Sequence, residues 1–211
     1  MTPDRQSLEH MADTELMLRV RDGDECAFER IYRRYHRRLL DFFFGMCRNT
    51  HTADELCHET FARVWQVRRK YAATGSFPAY LFTFARNIWL EQCREYTKDR
   101  RLGVRQSFED CIRELIAGPA GHPGDEAARS ELAESIFAAL EELPDEQRMV
   151  FVMRNIEGFG IDDIATVLQC PPNTVRSRKI LAVRKLRESL SRFVSLQAGA
   201  GFFGFIFGFF L

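Results

Sequence analysis

Apolar side chains recur along this chain at intervals of three and four residues, and no segment sustains the alternation of apolar and polar residues typical of a strand. The pattern is clearest near the N-terminus, where it is interrupted once, at Asp22-Gly23-Asp24. We therefore predict a short helix, a turn and a long helix there, with a buried side formed by Leu16, Val20, Phe28, Ile31, Tyr35, Leu39, Phe42 and Phe43. The same spacing continues downstream, so the predicted fold class is all-α.

Two further helix starts are marked in the first half of the chain. Thr52-Ala53-Asp54-Glu55 has the form of a capping box and predicts a helix from Ala53 to about Arg69. Ser76-Phe77-Pro78 follows a short polar loop, and proline is tolerated in the first turn of a helix. The helix predicted there ends in the charged stretch 94–101 and buries Leu81, Phe84, Ala85, Ile88 and Trp89.

A stretch rich in glycine and proline, residues 117–124, separates two helical halves and predicts a linker. Beyond it we expect one helix from Ser130 to Leu143 and a second from Pro144 to a glycine cap at Gly158. Two more follow at 161–168 and 174–193, the last capped by Asn173. The predicted organisation is two small helical domains at 8–101 and 130–193, joined by a flexible linker at 102–129 and followed by a tail at 194–211.

Basic and acidic residues each number thirty, so the formal net charge is zero. The signs are nevertheless segregated along the chain. Residues 102–160 carry twelve acidic and five basic side chains, whereas residues 161–211 carry three and seven, and residues 51–101 carry six and nine. This distribution predicts two separated anion-facing surfaces around an acidic middle.

The last two predicted helices are joined by a tight connection, and the second begins with hydroxyl and basic residues. This is the arrangement of a helix-turn-helix whose second helix enters the major groove of DNA. Arginine can read guanine there, while serine, lysine and the helix N-terminus can hold phosphate. The candidate DNA-binding residues are Asn173, Thr174, Arg176, Ser177, Arg178 and Lys179, and the predicted shared core is Ile164, Ala165, Leu168, Val175 and Ile180. The motif alone leaves open a helical hairpin with a solvated basic face.

The basic segment 68–101 differs in kind, because aromatic side chains are interleaved with its cations. Aromatic faces stack on unpaired bases while cations follow the backbone, so this mixture favours single-stranded or melting nucleic acid over an intact duplex. The alternative is that most of these rings lie in the core, which is the favoured interpretation for Phe77 and Trp89. The rings concerned are Tyr71, Phe77, Tyr80, Trp89 and Tyr96.

The sequence contains no glycine-rich phosphate loop, nucleophile elbow or HExxH motif, so an enzyme is not expected. The six cysteines show no CxxC spacing and the N-terminus lacks the apolar core of a signal peptide, which favours a reducing, cytoplasmic location. The nearest approach to a metal-ligand cluster is Cys47, His51, Cys57 and His58, but the last two are neighbours and point to different sides of a helix. We expect neither a metal nor a cofactor.

The two halves together resemble bacterial RNA polymerase sigma factors of the sigma-70 family, in the extracytoplasmic-function (ECF) group that retains only two conserved domains. Ordered matches over about 150 residues are more specific than any single motif. The matching segments are residues 27–35, 53–65 and 75–87 in the first half and residues 139–148, 157–158, 163–165 and 173–178 in the second. The chain departs from the family pattern at Tyr80, Gly160 and Pro171-Pro172, so the promoter sequence does not follow.

The resemblance implies a role for each surface, with core RNA polymerase (its β′ and β subunits) and promoter DNA as partners. Docking on the β′ coiled coil is implied for Asp54, Glu55, Leu56, Glu59 and Trp65. Capture of flipped bases of the minus-10 element is implied for Ser76, Phe77, Tyr80, Arg86, Asn87 and Arg94. The helix-turn-helix is implied to read the minus-35 element as duplex, and the acidic linker to pass near the active-site and RNA-exit channels.

A conventional helix-turn-helix regulator, which binds duplex operators as a dimer without polymerase, is the alternative function. The aromatic and basic segment favours the sigma factor, because a regulator that binds only duplex has no use for it. The sequence leaves open whether an anti-sigma factor is a further partner.

The end of the chain, residues 193–211, is uncharged and rich in phenylalanine and glycine. A helix of that length would span about 28 Å, close to a bilayer core, with a basic flank at 184–192. Its strictly apolar part is only about a dozen residues, short of what a span requires. Membrane association and a regulatory tail that folds back or binds a partner therefore both stay open.

Overall fold

The computed structural model describes residues 8–98 and 135–197, and these ranges contain helices and no strand, which confirms the all-α prediction. The first range holds α1 (Asp13–Arg21), α2 (Glu25–Cys47), α3 (Thr50–Val67), a 3₁₀ turn (Arg68–Lys70) and α4 (Phe77–Lys98). The second holds α5 (residues 135–141), α6 (Asp145–Phe151) with a π-helical turn (Val152–Ile156), α7 (Ile161–Leu168) and α8 (Pro172–Gln197). The predicted linker and the Phe-rich tail lie outside the described residues, apart from the end of α8.

The N-terminal domain is built around α2, which packs on α1 and α3 and whose buried side carries most of the residues predicted from the spacing. Gly23 supplies the left-handed turn before the helix, with φ +96°. Asp24 caps the helix, since its carboxylate accepts a hydrogen bond from the backbone N–H of Ala27 at 3.0 Å. The predicted break at 22–24 is therefore confirmed.

The capping box predicted at 52–55 is wrong, because α3 begins at Thr50, three residues earlier than predicted. Asn49 is the N-cap, and its side-chain oxygen accepts from the backbone N–H of Thr52 at 3.0 Å. Asparagine is among the best capping residues, so the free donors are satisfied before Thr52 is reached. Asp54 and Glu55 consequently lie in the second turn of the helix and not at its start.

The C-terminal domain confirms the predicted helix at 161–168 and the cap at Gly158, whose φ is +72°. The predicted start of the last helix is wrong by two residues. Pro172 is its first residue, as proline in a first turn allows, and the backbone N–H of Thr174 already bonds to the carbonyl of Pro171 at 2.9 Å. Asn173 is thus inside the first turn and is not the cap.

The predicted core of the helical pair is right for four residues, Ile164, Ala165, Leu168 and Val175, and wrong for Ile180. Ile180 is 68% exposed. The residues of this part of α8 that are buried are Ala182 and Leu186. Val175, Ala182 and Leu186 follow one another at seven and four residues and share a face of α8. Ile180 lies five residues from Val175 and faces the opposite way.

The two domains pack against each other through one continuous hydrophobic core. Phe82 of α4 meets Phe159 edge to face with ring centroids 4.8 Å apart. At the end of α2, Arg148 of α6 donates to the carbonyl of Met46 at 2.7 Å, which satisfies one of the free carbonyls of that helix. We call this arrangement of residues 8–98 and 135–197 the closed arrangement.

Gly45 marks the closest approach of α2 to the π-helical turn. A Cβ atom at this position would lie 3.0 Å and 3.3 Å from the two methyl carbons of Val152. Ordinary carbon contacts are about 3.5–4.0 Å, so even one methyl group would press on the π-helical turn. Glycine therefore permits the helix to pack this closely.

Arg38 of α2 is the most heavily engaged cation of the interface. Its Nε donates to Glu157 Oε2 at 2.9 Å and its Nη2 to the Glu157 carbonyl at 3.1 Å. The guanidinium also lies over the rings of Tyr35, Phe82 and Phe159, at 5.4–5.7 Å from their centroids. One side chain thus holds two elements of the N-terminal domain and the segment that precedes α7.

Burial of Glu157 raises the pKa of its carboxyl to about 7, although the Arg38 guanidinium opposes this shift and Asp41 adds to it. The side chain is only 3% exposed. An acid with a raised pKa holds its proton more tightly in the closed arrangement than in the unfolded chain. Its contribution to stability is therefore complete below about pH 4.5 and is lost as the pH rises through about 7.

We expect Glu157→Gln to reduce the loss of stability between pH 4.5 and 7.5 by up to about 3 kcal/mol, because the amide accepts the Arg38 hydrogen bond without titrating. Urea unfolding of the full chain across this pH range measures the effect. Glu25→Gln, which alters an exposed glutamate, is the control, and its free energy of unfolding should fall with pH as steeply as that of the wild type. If the free energy of unfolding of Glu157→Gln also fell as steeply as that of the wild type, the buried carboxyl would not be the cause of the pH dependence.

Candidate functional site

The exposed side of α3 is acidic over its first three turns. The side chains of Asp54, Glu55 and Glu59 are all at least two-fifths exposed. Glu59 is engaged by Arg63, which also binds Glu91 of α4 at 2.6 Å. The bond to Glu91 raises the pKa of Arg63, and the same bond lowers the pKa of Glu91. Within the ranges 8–98 and 135–197, Asp54 and Glu55 form ion pairs only with histidines, so they are the carboxylates of this side most available to a cationic partner.

Leu56 and Trp65, the two apolar residues implied in polymerase docking, are less exposed than these acids. Leu56 is only 3% exposed and belongs to the core of the N-terminal domain. Trp65 is half-buried, with its ring 4.9 Å from that of Phe28 and the Arg68 guanidinium 4.0 Å above it. Leu56 thus supports α3 from beneath, and Trp65 lies at the far end of the acidic side.

Three rings of the segment 68–101 lie in the core. Tyr71, Phe77 and Trp89 are buried, as the alternative interpretation held for Phe77 and Trp89. Tyr80 is half-buried between Tyr71 and Phe84, at 5.0 and 5.1 Å between centroids, and the side chain of Tyr96 lies outside the described residues. The rings pack on one another because helix α4 presents them to α1 and α2.

Ser76 lies at the N-terminus of α4 and is bound on both sides. Its hydroxyl oxygen accepts from the backbone N–H of Ala79 at 3.3 Å and donates to Asp163 of α7 at 2.9 Å. The predicted minus-10 loop is therefore in contact with the C-terminal domain. Further along α4, Arg86 donates to the side chain of the exposed Asn87 at 3.2 Å, and Arg94 follows one heptad later on the same face as Asn87.

Helix α8 exposes three of the six candidate DNA-binding residues. Asn173, Arg176 and Ser177 are exposed, and Arg176 donates to the Asn173 side chain at 2.8 Å. Arg178 points inward, where it bonds to Glu146 of α6 and to the sulfur of Cys170 at 3.6 Å. Thr174 and Lys179 are half-buried.

Sequence reasoning missed Ile180, which lies on the exposed side of α8 between Arg176 and Arg184. These three residues follow at intervals of four and share one face. An apolar side chain in that position suits the methyl group of thymine in the major groove. The signal that identifies it is its spacing of five residues from the buried Val175.

The family description Sigma-70 region 2 matches residues 31–101, and Sigma-70, region 4 matches residues 133–186. The RNA polymerase sigma factor CarQ of Myxococcus xanthus is 30% identical over 174 residues, which cover 82% of this chain and 95% of CarQ. The ECF RNA polymerase sigma factor SigE of Mycolicibacterium smegmatis is 28% identical over 181 residues, 83% of this chain and 67% of SigE. The structure of CnrH in complex with the cytosolic domain of CnrY has the same fold, with a TM-score of 0.66, 22% identity and coverage of 86% of this chain and 99% of CnrH.

A helical DNA-binding protein with a helix-turn-helix in its second domain is the class that the fold defines. The chain belongs to the sigma-70 family of RNA polymerase sigma factors, in its ECF group. The matches confirm the resemblance seen in the sequence and do not support the conventional regulator. No helix within the described ranges is long and apolar enough to cross a membrane, and the tail at 198–211 lies outside them.

We expect Arg178→Ala to lower the free energy of unfolding by about 1 kcal/mol, because it removes the bridge from α8 to Glu146 and Cys170. Arg176→Ala should change it by less than about 0.5 kcal/mol and weaken binding to promoter duplex about tenfold or more. Urea unfolding and fluorescence anisotropy measure the two quantities. If Arg178→Ala bound DNA more weakly with its stability unchanged, the assignment of Arg178 to packing and of Arg176 to DNA would be contradicted.

Proposed function

We propose that this sigma factor uses three separate surfaces: the acidic side of α3 for core polymerase, the exposed side of α4 for melted minus-10 DNA, and the exposed side of α8 for minus-35 duplex. The observation that carries the proposal is the division of α8, where Arg176, Ser177 and Ile180 are open while Arg178 is turned inward. The chain performs no chemistry itself in this proposal.

Docking on polymerase is assigned to Asp54 and Glu55. Their carboxylates are exposed, lie on a rigid helix and have no arginine or lysine bound to them among the described residues. Charge pairs of this kind steer association and fix register. Glu59 contributes less, because Arg63 already neutralises it, and Leu56 contributes through packing alone.

Reading of the minus-35 element is assigned to Arg176, Ser177 and Ile180. Arginine forks onto guanine, the hydroxyl of serine binds phosphate or base, and isoleucine contacts a thymine methyl group. The more distal cations Arg184 and Lys185 are exposed and continue this face toward the DNA backbone.

Stabilisation of melted minus-10 DNA is assigned to Arg86, Asn87 and Arg94, with Ser76 as a further contact. The side chains of Arg86 and Asn87 bond to each other and present both a cation and an amide to an unpaired base. Phe77 is excluded from base stacking by its burial, and Tyr80 has only one part of its ring accessible.

The closed arrangement is a state in which these surfaces cannot all act together. The two promoter elements are centred about 25 base pairs apart, which at 3.4 Å per base pair is about 85 Å of duplex. Ser76 and Asp163, however, are hydrogen-bonded across the domain boundary at 2.9 Å. The two domains must therefore separate before one chain can contact both elements.

The experiment that tests the assignment mixes the purified chain with core polymerase and follows co-elution and promoter melting by permanganate reactivity. Asp54→Lys should abolish co-elution, whereas Asp22→Lys, the same charge change at an exposed acid near α1, should not. Arg86→Ala with Asn87→Ala should keep co-elution and lose melting, because only the contacts to unpaired bases are removed. Normal melting by the double variant, or normal co-elution by Asp54→Lys, would overturn the corresponding assignment.

A second experiment tests the requirement for separation. Gly45→Leu should force α2 away from Val152 and open the closed arrangement, which would raise the radius of gyration in small-angle scattering and the affinity of the free chain for promoter DNA. Ala62→Leu, at an exposed helical position, is the control. Gly45→Ala combined with Val152→Ala should keep the chain closed, since the one added methyl group is offset by loss of the two methyl groups that it would meet. A folded Gly45→Leu chain with an unchanged radius of gyration would contradict the prediction.

A further inference from the structure

Three potential metal ligands meet on the exposed side of the contact between α2 and α3. His36 comes from α2, and Asp54 and His58 lie four residues apart on α3. One ligand atom from each lies within 4.8 Å of the others. His36 Nε2 is 4.0 Å from Asp54 Oδ1, and His58 Nδ1 is 3.4 Å from Asp54 Oδ2.

These distances are close to those of an occupied site. Zinc bonds to histidine nitrogen and carboxylate oxygen are about 2.0–2.2 Å, so the ligand atoms of a tetrahedral site lie about 3.3–3.6 Å apart. Asp54 and His58 already have that separation through Asp54 Oδ2. With one atom from each ligand the set spans up to 4.8 Å, so side-chain rotation of about 1 Å is needed to bring all three to the bonding distances of zinc. Two ligands four residues apart on one helix face the same way, which the helix enforces.

Neighbouring groups hold the two imidazole rings in place. His58 Nδ1, which lies 3.4 Å from Asp54 Oδ2, is also 2.9 Å from the backbone carbonyl oxygen of Asp54, so a metal at Nδ1 would replace the proton donated to that carbonyl. The remaining ring proton is then on Nε2, where the Tyr32 hydroxyl oxygen can accept it. The Tyr32 hydroxyl lies 3.3 Å from His58 Nε2, and its ring packs on that of His36 with centroids 4.8 Å apart. Such outer contacts, which set the tautomer and the ring orientation, are characteristic of metal-binding histidines.

We propose that His36, Asp54 and His58 form a three-ligand site for a divalent transition metal of the zinc type, with its fourth position open to solvent. Imidazole ligands favour such ions over magnesium or calcium. Cys57 is not a ligand, because it is buried and its thiol points toward the carbonyl of His36 at 3.7 Å. The sequence predicts no metal because its ligand-like cluster, Cys47, His51, Cys57 and His58, does not include His36, which only the packing of α2 on α3 brings to His58.

The site overlaps the surface proposed for polymerase docking. Asp54 would supply a ligand to the metal and a negative charge to the polymerase, and it cannot do both at once. A bound dication would also reverse the sign of the local charge on this side of α3. The site itself does not depend on the proposed function, but its expected effect, which is weaker docking when metal is bound, does.

The test titrates the reduced full chain with zinc chloride and follows the imidazole signals of the five histidines by NMR. Zinc should shift the signals of His36 and His58 together at one equivalent, and His36→Gln and His58→Gln should each weaken this binding at least tenfold. His51→Gln is the matched control, since His51 also pairs with an acid four residues away on α3 but has no third ligand. Zinc that shifts no imidazole signal, or that binds equally well to His36→Gln, would overturn the site.

A second arm measures co-elution with core polymerase with and without zinc. Docking of the wild type should fall at least fivefold with zinc, while His36→Gln should dock equally well in both conditions. If zinc binds at His36 and His58 but docking is unchanged, the metal site stands and the use of Asp54 in docking fails. If zinc weakens the docking of both proteins alike, the coupling through this site is overturned.

Discussion

The closed arrangement depends above all on where the positive charge of Arg38 is placed. A guanidinium taken from water loses hydration, and that loss must be offset by hydrogen bonds, by an opposite charge or by ring faces. Arg38 has all three, from Glu157, Tyr35, Phe82 and Phe159. Tyr35 and Phe82 belong to one domain and Glu157 and Phe159 to the other, so Arg38, whose side chain keeps 35% of its surface in water, has this full set of contacts only while the domains are together.

The two proposed DNA surfaces differ in accessibility in the closed arrangement. The residues of the α8 face are exposed in the closed arrangement, whereas the start of α4 is held by α7 through Ser76 and Asp163. In the proposed function, a closed chain could therefore contact duplex through α8 but could not capture an unpaired base at Ser76. Opening of the domain boundary would then determine when melting begins.

Features that depend on neighbouring residues were predictable from the sequence, and features that depend on distant ones were not. The cap at Gly158 and the helix from 161 to 168 follow from short-range signals and are confirmed. The start of α3 is an exception among the local features, because two competent caps, Asn49 and Thr52, lie close together and the chain uses the earlier. Ile180 was misplaced because the register of α8 is set by its contacts with α6 and α7, which the spacing within the helix does not reveal.

The residues of the candidate surfaces likewise divide into those predictable from their sequence neighbours and those whose position depends on distant contacts. The acids of α3 and the cations of α8 are readable as charge patterns, and most of them are exposed as a patterned helix requires. The inward turn of Arg178 depends on Glu146, thirty-two residues away, and the meeting of His36 with His58 depends on the packing of two helices. Sequence periodicity carries no information about such pairs until the packing is known.

The number of residues in the π-helical turn at Val152–Ile156 determines how the two domains meet. A π-helical turn holds one more residue than an α-helical turn, and here the backbone N–H of Glu157 bonds to the carbonyl of Val152 five residues before it. Each residue of an α-helix turns the chain by about 100°, so the extra one sets the direction in which Glu157 and Phe159 leave the helix. Loss or gain of a single codon in this stretch would rotate both away from Arg38 and would also displace Val152 and Met153, which are fully buried in the core. The length of this stretch is therefore under two constraints at once, so we expect substitutions within it to be tolerated far better than insertions or deletions.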